Sequence, residues 1–179
     1  MPAYNDKKWT QPNTSGEMKS YKLCPYKSGV VNRYRQNPAE IRKLSENRYV
    51  IDFGNEMIGN VSVQLLCLTS QKWSVGYGEE LNSDGSVKSE MRTGNIYRET
   101  WNLTPGYQEM STINMKAFRY MEISGCIEKL SIGNITGWQV RQKTENQELQ
   151  FSSDNSILND EYNLAKRTIE NTSQDMYVD

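Results

Sequence analysis

Apolar and polar residues alternate along the segment RYVIDFGNEMIGNVSVQLLCLT, which begins at Arg48. Successive side chains of a strand point to opposite faces, so the pattern predicts a strand, a turn around Gly54 to Gly59, and a second strand. One face of the second strand carries only apolar side chains, namely Val61, Val63, Leu65 and Cys67. This alternation is typical of an antiparallel sheet with one buried face.

Four further segments are rich in aromatic and β-branched residues: KWSVGYGEEL, NIYRETWNL, KAFRYMEISG and ITGWQVRQK. Gly, Pro, Asn and Ser residues separate them, and the Asp84-Gly85 pair gives a turn signal within a longer polar loop. Six or more short strands with no helix between them indicate a β-sandwich or jelly roll. The predicted fold class is therefore mainly β and antiparallel. We place this domain at residues 21–147, after an extended polar arm at residues 1–20.

The hydrophobic pattern changes after Gln147, where apolar residues recur at steps of four, three and four. These residues are Leu158, Tyr162, Ala165 and Ile169. They share one face of a helix, which we predict over residues 155–172 with Ser153 or Asp154 as its N-cap. A lone amphipathic helix after a β domain has no sister helices to cover its apolar face. We therefore expect it to pack on the sandwich or to form a homodimer contact.

The composition mainly excludes certain partners and kinds of site. The chain has 179 residues, a formal net charge of −1 and no histidine. No basic run is interleaved with aromatic residues, which argues against nucleic acid as a partner. The absence of histidine removes the commonest general base and the commonest metal ligand. Cys24, Cys67 and Cys126 are widely spaced without a CxxC motif, which favours reduced thiols over a zinc site. We expect no metal and no cofactor.

Hydropathy gives no sign of a membrane protein. The mean hydropathy is −0.80, and no apolar run approaches the length of a membrane span. The N-terminal residues lack the apolar core of a signal peptide. We therefore expect no membrane partner, with the cytoplasm as the favoured location.

Three carboxylates are candidates for chemistry. Glu79 and Glu80 are adjacent, and adjacent strand residues point to opposite faces, so they cannot flank one bond. We favour structural roles for them, such as a bond to loop backbone or to Arg92. Asp52 stands where a strand meets a turn, where such a residue most often accepts backbone N–H groups. Contact with calcium or sugar is the alternative.

Aromatic residues give a second set of candidates. Trp73, Trp101 and Trp138 are possible stacking platforms for sugar rings, because a pyranose face is apolar enough to lie on indole. Tryptophan in a small sandwich is more often a core residue, and this alternative stays open. Arg119 and Tyr120 are predicted to brace the sheet or an interface between domains.

Five motifs follow one another from about residue 48 to residue 179: YVIDFGNEMIGNVSV, VGYGEEL with a DG pair after it, RTGNIYRETWNL, FRYMEISG, and LQFSSDNSILNDEYNLAKRTIENTSQDMYVD. In this order they resemble the family 78 glycoside hydrolases, the bacterial α-L-rhamnosidases. The first four motifs belong, in that family, to a concanavalin-like jelly-roll sandwich that precedes the catalytic domain. The last motif resembles the linker and first helix of an (α/α)6 barrel, so residues 148–179 would belong to a truncated catalytic domain.

The resemblance implies inverting hydrolysis of terminal α-L-rhamnosides, with rhamnose-containing glycosides as partners of the full-length protein. Asp179 would match an aspartate that contacts the sugar, and the general acid, a glutamate, would follow five residues later. The resemblance therefore predicts an enzyme fragment whose sandwich is an accessory domain and which is inactive alone. The alternative is a stand-alone carbohydrate-binding or interaction module of the same fold.

Overall fold

A computed structural model of the chain describes residues 7–11, 24, 31–126, 130–143 and 150–174. Within these ranges the protein forms eight strands and one α-helix. Their bounds are β1 Val31–Gln36, β2 Glu40–Ser45, β3 Arg48–Cys67, β4 Gln71–Gly78, β5 Arg98–Leu103, β6 Gly106–Ser111, β7 Lys116–Ser124, β8 Ile135–Gln142 and α1 Ser156–Thr172. The prediction of a mainly β, antiparallel fold followed by one helix is confirmed.

Strand β3 organises the sheet because each of its edges pairs with two strands in succession. One edge pairs with β7 and then β6, and the other pairs with β2 and then β8, in every case antiparallel. β1 extends the sheet beyond β8, while β4 and β5 extend it beyond β7. Residues from both halves of β3 enter one buried cluster, so the branched sheet folds over this strand as a β-sandwich.

The predicted turn around Gly54 to Gly59 is wrong. The chain continues as one 20-residue strand, and the pairing with β7 shifts register between Asp52 and Met57. Gly54 has a φ of 80°, a backbone conformation that favours glycine, and its N–H donates to Asp52 Oδ1 at 2.6 Å. The turn signals therefore mark a bulge that bends the strand without reversing it.

The core lies between the two halves of β3 and the strands that pair with them. The predicted apolar face of β3 is confirmed, because its four residues are all buried. Phe118 lies at the centre, with its ring centroid 5.6 Å from that of Phe53 and 5.3 Å from that of Tyr77, both in edge-to-face geometry. Such aromatic pairs add to the free energy gained from burying their area.

Helix α1 begins one residue later than predicted. Asn155 is the N-cap, and its side-chain oxygen accepts from the Ile157 N–H at 3.0 Å. Ser153 supports the cap, since its hydroxyl accepts from the Asn155 N–H at 3.2 Å. In the part of the chain that the structure describes, no helix is long and apolar enough to cross a membrane.

Candidate functional site

Asp52 of β3 and Arg119 of β7 form a bidentate ion pair. Arg119 Nε donates to Asp52 Oδ1 at 2.9 Å, and Arg119 Nη2 donates to Asp52 Oδ2 at 2.8 Å. The bonds from Arg119 hold the pKa of the Asp52 carboxyl below its ordinary value. Arg119 also stacks on Tyr120, with Cζ 4.9 Å from the ring centroid. Asp52 also accepts a backbone N–H, that of Gly54, as predicted for an aspartate where a strand meets a turn. Arg119 braces the sheet by joining β7 to β3.

Replacing Arg119 by methionine is expected to lower the free energy of unfolding at pH 7 by about 1–2 kcal/mol. The value lies low in the range for charged hydrogen bonds because water reaches Arg119, whose side chain is 39% exposed. The folded-state pKa of Asp52 is lowered, so the pair stabilises the fold above an unfolded-state pKa of about 3.9. This contribution is lost as the pH falls through the lower folded-state pKa.

Urea unfolding of both proteins at pH 7 and near pH 3 measures this effect. The difference between them should shrink on acidification, and a difference that stays constant would contradict the role given to the pair. Lys88→Met is the matched control, because its partner Glu80 is exposed, and it should change stability little at either pH.

Glu122 is a buried carboxylate that the sequence analysis missed. Its side chain is 2% exposed, and it accepts from Arg48 Nη2 and from the Val87 N–H, both at 2.9 Å. These two bonds join β7 to the first residue of β3 and to the loop between β4 and β5. The sequence feature that could have identified Glu122 is its position inside FRYMEIS, a segment with apolar residues on both sides of the pleat. A charged residue in such a segment is buried only with bonding partners.

Glu79 and Glu80 are both exposed at the end of β4, and they do not form a facing pair. Glu80 Oε2 accepts from Lys88 Nζ at 2.9 Å, and Glu80 Oε1 lies 3.8 Å from Arg92 Nη2. Lys88 lowers the pKa of the Glu80 carboxyl, which keeps it ionised. Among the residues with described positions, no three Cys, Asp or Glu side chains come together as metal ligands.

The three candidate tryptophans lie in different surroundings. Trp73 and Trp101 are cross-strand neighbours in β4 and β5, with exposures of 3% and 4%, and both belong to the core. Trp138 is half-buried, donates from Nε1 to Ser62 Oγ at 3.1 Å, and lies under Arg33, whose Cζ is 5.0 Å from the ring centroid. Sugar stacking stays a prediction, and of these three tryptophans only Trp138 is partly exposed.

Two predicted features fall largely or wholly outside the described residues. Asp179 is one, since the last residue that the structure describes after α1 is Gln174. The extended arm at residues 1–20 is the other, since only residues 7–11 of it are described. The boundaries 21–147 and 148–179 likewise stay predictions.

Helix α1 docks on the sandwich through polar side chains of its second half. Arg167 Nη1 donates to Asn55 Oδ1 at 2.6 Å, and Asn171 Nδ2 donates to the Glu56 carbonyl at 3.0 Å. Glu170 pairs with Arg141 of β8 at 2.8 Å. The helix therefore does fold back on the sandwich, but through the face opposite to its apolar stripe.

The apolar stripe of α1 remains at the surface in the described structure. Leu158 is 44% exposed and Ile169 is 63% exposed. Near the start of the helix, Phe151 packs on Tyr162 with ring centroids 5.3 Å apart. An apolar stripe of this kind is typical of a surface that another element covers. A homodimer contact through residues 155–172 stays a prediction.

Comparison with known proteins gives the same fold. The family model for the bacterial alpha-L-rhamnosidase concanavalin-like domain matches residues 42–141. The fold and the matched residues define a concanavalin-like sandwich domain. The chain belongs to this family of bacterial α-L-rhamnosidase domains.

The similar proteins are much longer than this chain. An alpha-L-rhamnosidase of Streptomyces avermitilis is 23% identical over 141 residues, which cover 76% of this chain and 14% of that protein. The solved α-L-rhamnosidase of Dictyoglumus thermophilum superposes with a TM-score of 0.75 at 19% identity, covering 85% of this chain and 18% of the other. The S. avermitilis enzyme in complex with L-rhamnose gives a TM-score of 0.73 at 19% identity, covering 86% and 15%. The structural likeness establishes the fold.

Proposed function

We propose that this chain is the accessory sandwich of an α-L-rhamnosidase-like glycoside hydrolase, which removes terminal α-L-rhamnose with inversion. The observation that carries the proposal is the family match over residues 42–141, which lies within the sandwich. The similar enzyme of S. avermitilis is an alpha-L-rhamnosidase, which supports the substrate class. Rhamnose-containing glycosides would then be partners of the longer protein.

The ion pairs of three carboxylates, Asp52, Glu122 and Glu80, support a non-catalytic role for these residues of the sandwich. Inverting hydrolysis needs an acid and a base on opposite sides of the glycosidic bond, about 6.5–9.5 Å apart. Asp52 is tied to Arg119, Glu122 to Arg48, and Glu80 to Lys88. These carboxylates serve as acceptors in ion pairs, and none of the three is held ready to transfer a proton to a sugar.

The exposed stripe of α1 supports the placement of residues 148–179 at the start of a second domain. In the proposed longer protein, the stripe would pack on further helices of an (α/α)6 barrel, while the polar face keeps its contacts with the sandwich. The sandwich would then fix the position of the first barrel helix. Asp179 would stand at the edge of the sugar site in that domain.

The purified chain of residues 1–179 is expected to release no p-nitrophenol from the aryl α-L-rhamnoside. The S. avermitilis enzyme serves as the positive control in the same absorbance assay. Release by the chain that disappears in Asp179→Asn would contradict the accessory role and make the chain itself an enzyme. A longer product of the same gene should be active, and its glycosidic product should show inversion by NMR.

A further inference from the structure

An open hollow of about 550 Å³ lies at the loop between β4 and β5. Its volume falls within the roughly 300–1,000 Å³ that is typical of small-molecule sites. Two β-bridges, one from Leu81 to Val87 and one from Glu90 to Ile96, fold the loop into two turns. Both turns contribute to the lining, which includes Ser89, Glu90, Met91, Arg92, Ile96 and Arg98.

The guanidinium of Arg98 is held in a defined position at this hollow. Arg98 Nη1 donates to Ser74 Oγ and Arg98 Nη2 donates to Ser89 Oγ, both at 3.2 Å. Gly76 leaves room for this arrangement, because a Cβ atom there would lie 2.5 Å from Ser89 Oγ and 3.2 Å from Arg98 Nη2. A guanidinium that is already oriented loses less conformational entropy when it binds a ligand.

The positive charge of Arg98 has no acidic partner. Among the described residues, no carboxylate forms an ion pair with its guanidinium. A guanidinium has five N–H groups, so the bonds to the two serines leave several of them for a ligand. Arg98 is exposed, so a ligand can reach it. A carboxylate matches such a group through two parallel hydrogen bonds.

The surrounding charges favour an anion with a single negative charge. Lys88 and Arg92 also line the hollow, and both pair with one carboxylate, that of Glu80. One positive charge of these two is thus uncompensated and adds to that of Arg98. Glu90 lines the hollow as well, and it repels a second negative charge. A carboxylate therefore suits the site better than a phosphate dianion.

Apolar surface lies beside these charges. Ile96 is 67% exposed and Met91 is half-buried, and both line the hollow. An apolar part of a ligand can cover Ile96 and remove that surface from water. A ring that carries a carboxylate offers both features, because the C–H face of a sugar or the face of an aromatic ring lies next to the charge.

We propose that the hollow binds a small organic acid, a ring with one carboxylate. Arg98 holds the carboxylate, and Ile96 contacts the ring. Acidic sugars and aromatic acids share this chemistry. The site does not depend on the proposed hydrolytic role, because it needs only residues of the sandwich.

NMR on the ¹⁵N-labelled chain of residues 1–179 tests the proposal at constant ionic strength. D-Glucuronate and benzoate are the two acids, and D-glucose is the control because it lacks the carboxylate of D-glucuronate. At least one acid is expected to shift the Arg98 Nε–H and Ile96 amide signals in a saturable way, with a Kd on the order of 1–10 mM. The acid that binds more tightly identifies the kind of ring.

Three outcomes of this titration would overturn the proposal. The first is the absence of a saturable shift with either acid up to about 50 mM. The second is that D-glucose binds as tightly as D-glucuronate. The third is that inorganic phosphate binds more tightly than both acids, since the site would then prefer a dianion.

Variants of Arg98 test its role directly. Arg98→Gln removes the charge and is expected to weaken binding of the preferred acid about tenfold. Arg98→Lys keeps the charge but loses the planar pair of donors, so it should weaken binding about threefold. Arg35→Gln is the matched control, because it makes the same change of charge on β1, at the other end of the sheet. Equal affinities for Arg98→Gln and Arg35→Gln would overturn the assignment.

Salt gives a further readout. Raising NaCl from about 50 mM to about 300 mM should weaken binding several-fold, because the site is open to water and its charges are screened. An affinity that does not change with salt would contradict a site built on Arg98. Because no hydrolysis is measured, a failure here is distinguishable from a failure of the proposed enzymatic role.

Discussion

Glu122→Ala is expected to lower the free energy of unfolding by about 2–4 kcal/mol. The substitution leaves the buried Val87 N–H without its acceptor and leaves the Arg48 guanidinium without its partner. The Val87 N–H carries most of the cost, since Arg48 is half-open to water and can be hydrated while a buried donor cannot. Loss of the Val87 bond also removes one of the contacts that hold the β4–β5 loop on the sheet.

Chemical denaturation at pH 7 measures the change, with amide hydrogen exchange as a local readout. Exchange at Val87 should accelerate more than exchange in β8, which lies far from Glu122. Glu122→Gln keeps an acceptor for one donor and should cost about half as much. Glu109→Ala, on an exposed strand, should change stability by less than about 0.5 kcal/mol. If the two alanine variants were equally stable, Glu122 would not join the three elements.

Phe118→Ala is expected to cost about 3–5 kcal/mol of unfolding free energy. Phe118 is fully buried and makes edge-to-face contacts with Phe53 and Tyr77. Truncation removes both contacts and opens a cavity at the centre of the sandwich, where a twisted sheet cannot collapse to fill it. A domain of this size has only about 5–15 kcal/mol in total, so much of its stability would be lost.

Thermal and urea unfolding followed by tryptophan fluorescence measure this loss. Phe118→Leu retains most of the volume and should cost less than the alanine variant. Tyr107→Ala is the control for loss of an aromatic ring, because Tyr107 is 76% exposed on β6, and it should be nearly neutral. A small effect of Phe118→Ala would mean that the core repacks freely around position 118.

Strands that carry alternating apolar or aromatic residues could be predicted from the sequence, including the edge strand β5, whereas the largely polar edge strands could not. The segments around β3, β4, β5, β7 and β8 alternate or carry aromatic residues, and all were expected. Strands β1, β2 and β6 were missed because each pairs along one edge only and is largely polar. For such strands the partner supplies the hydrogen bonds and the sequence carries little periodic signal.

The site residues show a similar limit. Asp52 and Arg119 were each singled out, but their pairing across two strands depends on register, which a single sequence does not give. The apolar stripe of α1 predicts a contact with the sandwich or with a second copy of the chain, but the contact with the sandwich lies on the opposite face of the helix. The contact instead uses Arg167, Glu170 and Asn171, since their partners on β3 and β8 are polar.

The long strand β3 also determines when strand pairing can be completed during synthesis. Gly59 pairs with Gln139 and Val63 with Ile135. This edge of the strand therefore stays unpaired until β8 has been synthesised. At about 5–20 residues per second, translation from the end of β3 to the end of β8 takes roughly 4–15 s. During that interval the apolar second half of β3 has an open edge, which is a template for pairing between nascent chains. Residues 61–67 are therefore the segment from which we expect aggregation to start when elongation is slow and chaperones are scarce.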